Sequence, residues 1–238
     1  MKEWCEIITA EKFQAAIGYW QLFLNGTVCT VLLSALAVFF GFIVALLLAL
    51  MRMGKIAPLR WLSTAYVEVF RATPMVVQVW IVYFMMAELV TLPRFMIFGV
   101  IRFERFLPGV IALSLNSGAY LCEIIRSGIG SIPIGQTEAA RSLGLPSGKT
   151  MRLIVLPQAM KNILPALANE FVTIIKESSI TYVIGVQEIM SAANSVKGAI
   201  YSSLEGLLIA AALYFCLCFP TSKVIAHFER KMSRGYKR

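Results

Sequence analysis

LFLNGTVCTVLLSALAVFFGFIVALLLALM, residues Leu22 to Met51, runs for thirty positions without one charged side chain. A transmembrane helix needs about 20 mostly apolar residues, so this stretch crosses a bilayer with turns to spare. Residues 1–21 ahead of it carry Glu3, Glu6 and Glu11 beside Lys2 and Lys12, and Arg52 follows at once. A cleaved leader has a basic start and a far shorter apolar centre, so a retained helix is expected. Composition agrees: 58% of the 238 residues are apolar and 15% charged, and the mean hydropathy is +0.75. That balance is wrong for a surface that faces water all round.

Outward from this helix, Arg52, Lys55, Pro58 and Arg60 form a short basic turn. A second apolar segment, 65–90, is interrupted early by Glu68, Arg71 and Pro74, which places its opening turn at the interface or against protein. Further spans are expected at 106–126, 154–176 and 204–228. The fourth is the most polar, with Pro157, Lys161, Asn162, Pro165, Asn169 and Glu170, and needs shielding from lipid. The segment 178–193 is apolar but too short for a full crossing, which suits a re-entrant or surface-lying piece. The expectation is an all-α membrane protein of about five transmembrane helices: a segment 1–21, a membrane domain 22–228 and a basic tail 229–238.

Five crossings leave the ends on opposite sides, and the basic residues choose between the two orientations. Fourteen of the 22 Lys and Arg fall on the side of the polar loop 127–153 and the tail, against seven on the other. The positive-inside rule then makes the loop cytoplasmic, the N-terminus outside and the C-terminus inside. The net charge of +9 is thereby explained as topological bias and attraction to anionic headgroups of the lipid bilayer, with no nucleic acid as partner.

Enzymatic roles find little support. The chain has one histidine, His227, and no aspartate, so neither a Ser-His-Asp set nor a His/Cys metal cluster can be assembled; no metal site and no cofactor are expected in this chain. The cysteines Cys5, Cys29, Cys122, Cys216 and Cys218 read as small buried hydrophobes.

Within the polar loop, Gly144-Leu145-Pro146-Ser147-Gly148-Lys149-Thr150 superficially matches a phosphate loop. That motif needs four residues between its first glycine and Gly-Lys-Thr; here Gly144 and Gly148 enclose three. The neighbouring stretch Gln136–Gly144 reads as a short helix: Thr137 to cap it, Glu138 in its first turn, Ala139 and Ala140 as strong helix formers, Gly144 to stop it. With Leu143 it makes a knob for a partner's groove or a plain connector. Ser147 is placed to cap the helix that leads to the fourth span.

Glu138-Ala139-Ala140, three residues, Gly144, nine residues, then Ile154-Val155-Leu156-Pro157 resembles the EAA loop of membrane subunits of ATP-binding-cassette importers. Glu68–Pro74 (EVFRATP), Ala119–Arg126 (AYLCEIIR) and Lys176–Ile180 (KESSI) resemble the polar amino-acid permease branch of that family. The likeness extends over residues 20–230, with Ala72 where many relatives have glycine and Ser178 where threonine is frequent. It implies a type I ABC importer permease fold in the bacterial cytoplasmic (inner) membrane, paired with a second copy or a sibling permease. Two ABC ATPase subunits, which bind ATP and Mg, would drive it, and an extracytoplasmic substrate-binding protein would deliver a polar or charged amino acid. Glu138, Ala139, Ala140 and Gly144 would form the helix that couples to the ATPase.

Polar residues inside the spans are the candidates for the substrate pathway. Asn116, Tyr120 and Glu123 share one helical face, as do Glu170, Thr173 and Glu177. An intramembrane carboxylate is costly and faces a pathway or a partner. Glu123 therefore lines the cavity or pairs with Arg126, and Glu170 lines it or pairs with Lys176 or a backbone donor. Lys176, Ser178 and Ser179 sit near the outer mouth. The rival reading is an ion-coupled secondary carrier that uses Glu123 or Glu170 as its proton site.

Overall fold

The computed structural model of the chain describes residues 10–233. In chain order these form α1 (Ala10–Gly18), α2 (Trp20–Met53), α3 (Ala57–Ala72), α4 (Met75–Leu89), a two-stranded hairpin of β1 (Met96–Ile97) and β2 (Ile101–Arg102), and α5 (Phe103–Gly130). After them come α6 (Ile134–Ser142), α7 (Ser147–Thr150), a π turn (Met151–Val155), α8 (Leu156–Glu177), a 3-10 segment (Ser178–Ile184), α9 (Ile189–Ile200) and α10 (Leu204–Ser233). Helices α2, α5 and residues 204–231 of α10 are long and apolar enough to cross a membrane.

The helix that decides the fold, α2, is apolar all round, yet only one face is buried: Gly26, Cys29, Leu33, Ala37, Gly41, Ala45 and Leu48 recur every three or four residues. These are mostly small. Where lipid is as apolar as leucine, helices associate through close packing, and small residues let the backbones approach. The face meets α5, the most buried span. At Gly118 of α5 an added Cβ would stand 2.7 Å from Val44 of α2, and at Gly26 it would meet the backbone of Glu188 at 3.0 Å. Phe39, Phe40, Leu47 and Leu50 on the outer face are left for lipid.

The segment expected as one span over 65–90 is two helices, α3 and α4, whose axes turn through 112° at Thr73-Pro74. Pro74 cannot donate to the preceding turn, so the last carbonyls of α3 lose their partners. Gln78 supplies them: its Nε2 donates to the Phe70 carbonyl at 2.8 Å and to the Thr73 carbonyl at 3.1 Å, and its Oε1 accepts from Asn116 Nδ2 at 2.8 Å. Gln78→Leu strands the buried Asn116 amide, at about 1–3 kcal/mol, and releases the half-buried Phe70 carbonyl. A clear drop in apparent melting temperature in detergent is expected; an unchanged midpoint would remove Gln78 from the account of the break.

Helix α8 has 22 residues, enough at 1.5 Å per residue for roughly 30 Å of hydrocarbon; of its polar side chains Glu170 is buried, whereas Lys161, Asn162, Asn169 and Lys176 are exposed on this chain. The π turn before it lies just ahead of Pro157, whose missing N–H frees the carbonyl four residues back. The segment 178–193 does not lie on the surface. Ser178, Thr181, Ile184, Glu188, Ile189 and Ala192 are buried, and the chain folds back against α2.

Of the cysteines, Cys29 and Cys122 are buried as expected, whereas Cys216 is exposed and Cys218 half-buried on the outer side of α10; Cys5 lies outside the described residues. α10 buries only its first turns, at Glu205, Gly206 and Ala210, so a thiol further along it meets the surroundings rather than the core.

Candidate functional site

Two groups of residues stand out, one on the polar loop and one at mid-depth among the helices. The loop helix α6 begins at Ile134, with Pro133 ahead of it and Gln136 N donating to the Pro133 carbonyl at 3.0 Å. Thr137 is therefore inside the helix rather than its cap, and Glu138 sits in the second turn. A proline at the helix edge, preset to a fixed φ, replaces the capping hydroxyl. Likewise Ser147 opens α7 behind Pro146 and makes no side-chain capping bond.

The end of α6 is as the sequence indicates. Gly144 takes φ +83°, Leu145 N bonds to the Ala140 carbonyl at 3.1 Å and Gly144 N to the Arg141 carbonyl at 2.9 Å. This pair closes the helix in a Schellman motif, which needs a left-handed residue at that position. Ala140 is buried beneath the helix, while Glu138, Ala139, Leu143 and Gly144 are exposed. Leu143 is 85% and Ile134 76% exposed. The two-turn helix is thus held on one side and exposes isolated large apolar side chains on the other.

The mid-depth group brings together α4, α5 and α8. Asn116 is buried, bound to Gln78 through Nδ2, and its Oδ1 has no hydrogen-bond partner among the described residues. Next to it on α5, the Ser117 hydroxyl stands beside the buried carboxylate of Glu170 on α8. Both helices reach this level about 21 Å from their ends at the polar loop, counting 1.5 Å per residue. The Tyr120 ring lies 5.6 Å beneath the Arg71 guanidinium.

Glu123, expected on the same face, is drawn elsewhere. Its Oε2 accepts from Arg52 at 2.8 Å, and Arg126 clamps both carboxylate oxygens. Of the two readings left open for it, pairing is the one observed, with Arg52 as an additional partner. Its charge is spent on tying the end of α2 to the end of α5. Thr173 turns its hydroxyl to its own helix at the Asn169 carbonyl, Ser178 to Ile175 and Ser179 to Lys176. Lys176 is exposed, and its charge lies beside Glu177.

Three side chains were passed over in the sequence. Gln78 is the one amide in the run Met75–Ala87, which otherwise holds only apolar and aromatic residues, and that isolation was a usable signal. Ser117 was hidden by its neighbour Asn116. Glu188 is the only charged residue in 178–193; it is fully buried, caps α9 by accepting from Met190 N at 2.8 Å and Ser191 N at 2.7 Å, and binds the Tyr214 hydroxyl at 2.6 Å.

A bundle built round a broken helix pair, with an exposed loop helix and a polar interior, defines a membrane transport component. Residues 37–234 match the family of binding-protein-dependent transport system inner membrane components, and the chain belongs to that family. Among its relatives, an arginine transport system permease protein, ArtQ of Bacillus subtilis, is 40% identical over 92% of this chain and 96% of its own. A putative glutamine transport system permease protein, GlnP of Rickettsia conorii, is 39% identical over 87% and 91%. The L-cystine transport system permease protein TcyB of Bacillus subtilis is 37% identical over 91% and 89%. An amino acid ABC transporter whose crystal structure was determined with histidines superposes with TM-score 0.84 at 40% identity, over 92% of this chain and 98% of that one. The inward-facing MetNI methionine ABC transporter, at 20% identity, shares the fold with TM-score 0.71, over 90% and 97%. The fold is that of the type I ABC importer permease, and this family of transport components replaces the reading as an ion-coupled carrier.

Proposed function

We propose that the chain is the membrane-spanning subunit of an ATP-driven importer of a polar or charged amino acid in the bacterial cytoplasmic membrane, with its N-terminus outside and the loop helix α6 inside. Two copies, or this chain and a sibling permease, enclose the pathway. Separate ATPase subunits bind ATP and Mg and grip α6, and an extracytoplasmic binding protein delivers the amino acid. When ATP closes the ATPase dimer, the paired loop helices move together and the cavity turns outward; hydrolysis returns it inward. The observation that carries the pathway is the mid-depth group: a buried carboxylate, Glu170, near an Asn116 carbonyl oxygen that lacks a partner among the described residues. A buried polar atom without a partner costs stability, and a passing ammonium or amide supplies one.

The test is uptake by reconstituted vesicles holding the ATPase subunits and the cognate binding protein, with arginine, glutamine, cystine and histidine supplied in turn. One of these is expected to be taken up only with ATP. Glu170→Gln is expected to slow uptake of a cationic amino acid by about tenfold, the effect of ~1.4 kcal/mol, and that of a neutral one less. Unaltered uptake of every substrate would remove Glu170 from the pathway.

A further inference from the structure

At the end of α4 far from the polar loop, a cavity of about 500 Å³ opens between that helix, the connector to the hairpin and the first turns of α5, and its polar lining is Tyr83, Thr91, Arg94, Glu104 and Arg105. Small-molecule sites measure roughly 300–1,000 Å³, so the space suits a free amino acid. Its charges are arranged for one. Two guanidinium groups and one carboxylate line the same walls, yet among the described residues neither Arg94 nor Arg105 forms an ion pair with Glu104. A planar guanidinium matches a carboxylate through paired hydrogen bonds, and a free carboxylate receives an ammonium.

Arg105 is also fastened in place. Its Nη1 donates to the Tyr83 hydroxyl and to the Ile184 carbonyl at 3.2 Å, and its guanidinium lies 4.9 Å over the Tyr83 ring. Both bonds use Nη1, which leaves the Nη2 and Nε donors of the fork. A pre-positioned cation loses little freedom on binding, so the ordering cost of holding a ligand there is small.

We propose that this cavity is an outer subsite for the zwitterionic backbone of a free α-amino acid, its carboxylate on Arg94 and Arg105 and its ammonium on Glu104. It reads the part that all such substrates share and holds the molecule between the binding protein and the mid-depth group. This rests on the transport direction proposed above. The guanidinium that receives the carboxylate also pins Ile184, at the end of the 3-10 segment that continues α8, so occupancy of the outer site acts on the same chain that carries Glu170.

The permease–ATPase complex in nanodiscs, without binding protein, is examined by saturation-transfer NMR with L-glutamine and with 4-aminobutanamide, which lacks the carboxylate. Wild type is expected to give a signal with glutamine and none with the amide; the glutamine signal should disappear in Arg94→Gln and Glu104→Gln. An equal signal from the amide, or a signal that persists in both outer variants, overturns the subsite. In ATP-driven uptake, both outer variants are expected to lower the maximal rate about tenfold with the half-saturating concentration of binding protein unchanged. A raised half-saturating concentration at full maximal rate would instead make these residues a docking surface for the binding protein, and unchanged kinetics would leave them no role; either result overturns the proposal. Arg105 is left intact because it braces Tyr83 and Ile184, and co-purification of the ATPase subunits checks that each variant assembles. Wild-type vesicles that import no amino acid refute the transport reading itself; wild-type import with unaffected outer variants refutes the subsite alone.

Discussion

Glu138→Arg is expected to uncouple this permease: the protein inserts and folds, but ATP-driven uptake falls by about two orders of magnitude. The second turn of α6 exposes Glu138 and Ala139, and Leu143 projects beyond its end. Ala140 beneath them is buried and the Schellman closure at Gly144 holds the helix end. A substitution on the exposed side therefore leaves the chain's own packing intact. Residues at the centre of a helix-in-groove contact cost roughly 2–4 kcal/mol when lost, and every ~1.4 kcal/mol is tenfold in affinity. Leu143→Asp should behave alike, because in the proposed docking it would place a charge where the partner's groove takes an apolar side chain. The measurements are co-purification of the ATPase subunits and uptake in vesicles. Normal uptake by Glu138→Arg would end the docking role assigned to this face.

Glu188→Ala should give the largest loss of stability among single polar substitutions in the core. Its carboxylate accepts from two N–H groups at the start of α9 and from the Tyr214 hydroxyl of α10. Thr30 Oγ1 of α2 takes the Ile189 N–H at 3.3 Å. Loss of an N-cap costs about 0.5–2 kcal/mol, and removing the carboxylate from the half-buried Tyr214 hydroxyl adds about 1–3 kcal/mol. The sum, about 1.5–5 kcal/mol, should lower the apparent melting temperature of the detergent-solubilised complex by several degrees, with Glu188→Gln falling between. A midpoint equal to wild type would show that the cap and Tyr214 find other partners.

Much of this was legible because lipid is an unforgiving solvent for sequence. A run such as Leu22–Met51 has only one use, since every backbone group must bond within a helix and every side chain must tolerate hydrocarbon. Helix α10 begins at Leu204, and α5 and α8 overlap 106–126 and 154–176 in sequence. Gly144 was readable for a local reason: only a residue at ease with positive φ ends a helix that way. The starts of α6 and α7 were misread because Pro133 and Pro146 precede the hydroxyl residues, and a preset φ does the work assigned to Thr137 and Ser147.

The interior was harder. Helical spacing put Asn116, Tyr120 and Glu123 in one row, but spacing says nothing of what stands opposite. Arg52, seventy-one positions away in sequence, captures Glu123, and Gln78 captures Asn116. The 112° turn at Thr73-Pro74 was half visible: Pro74 announced a disturbance, while its size depended on Gln78 reaching back to the freed carbonyls.

The sequence by itself determined the all-α class, the long apolar helices α2, α5 and α10, the exposed loop helix and the family, because these follow from local hydropathy, helix-forming chemistry and motif spacing. Only the tertiary structure decided which of the charges within the helices are paired, as Glu123 is with Arg52 and Arg126, and which are buried without an ion pair among the described residues, as Glu170 is. A carboxylate's role depends on the partner that meets it, and that partner is chosen by how α2, α4 and α8 pack around α5.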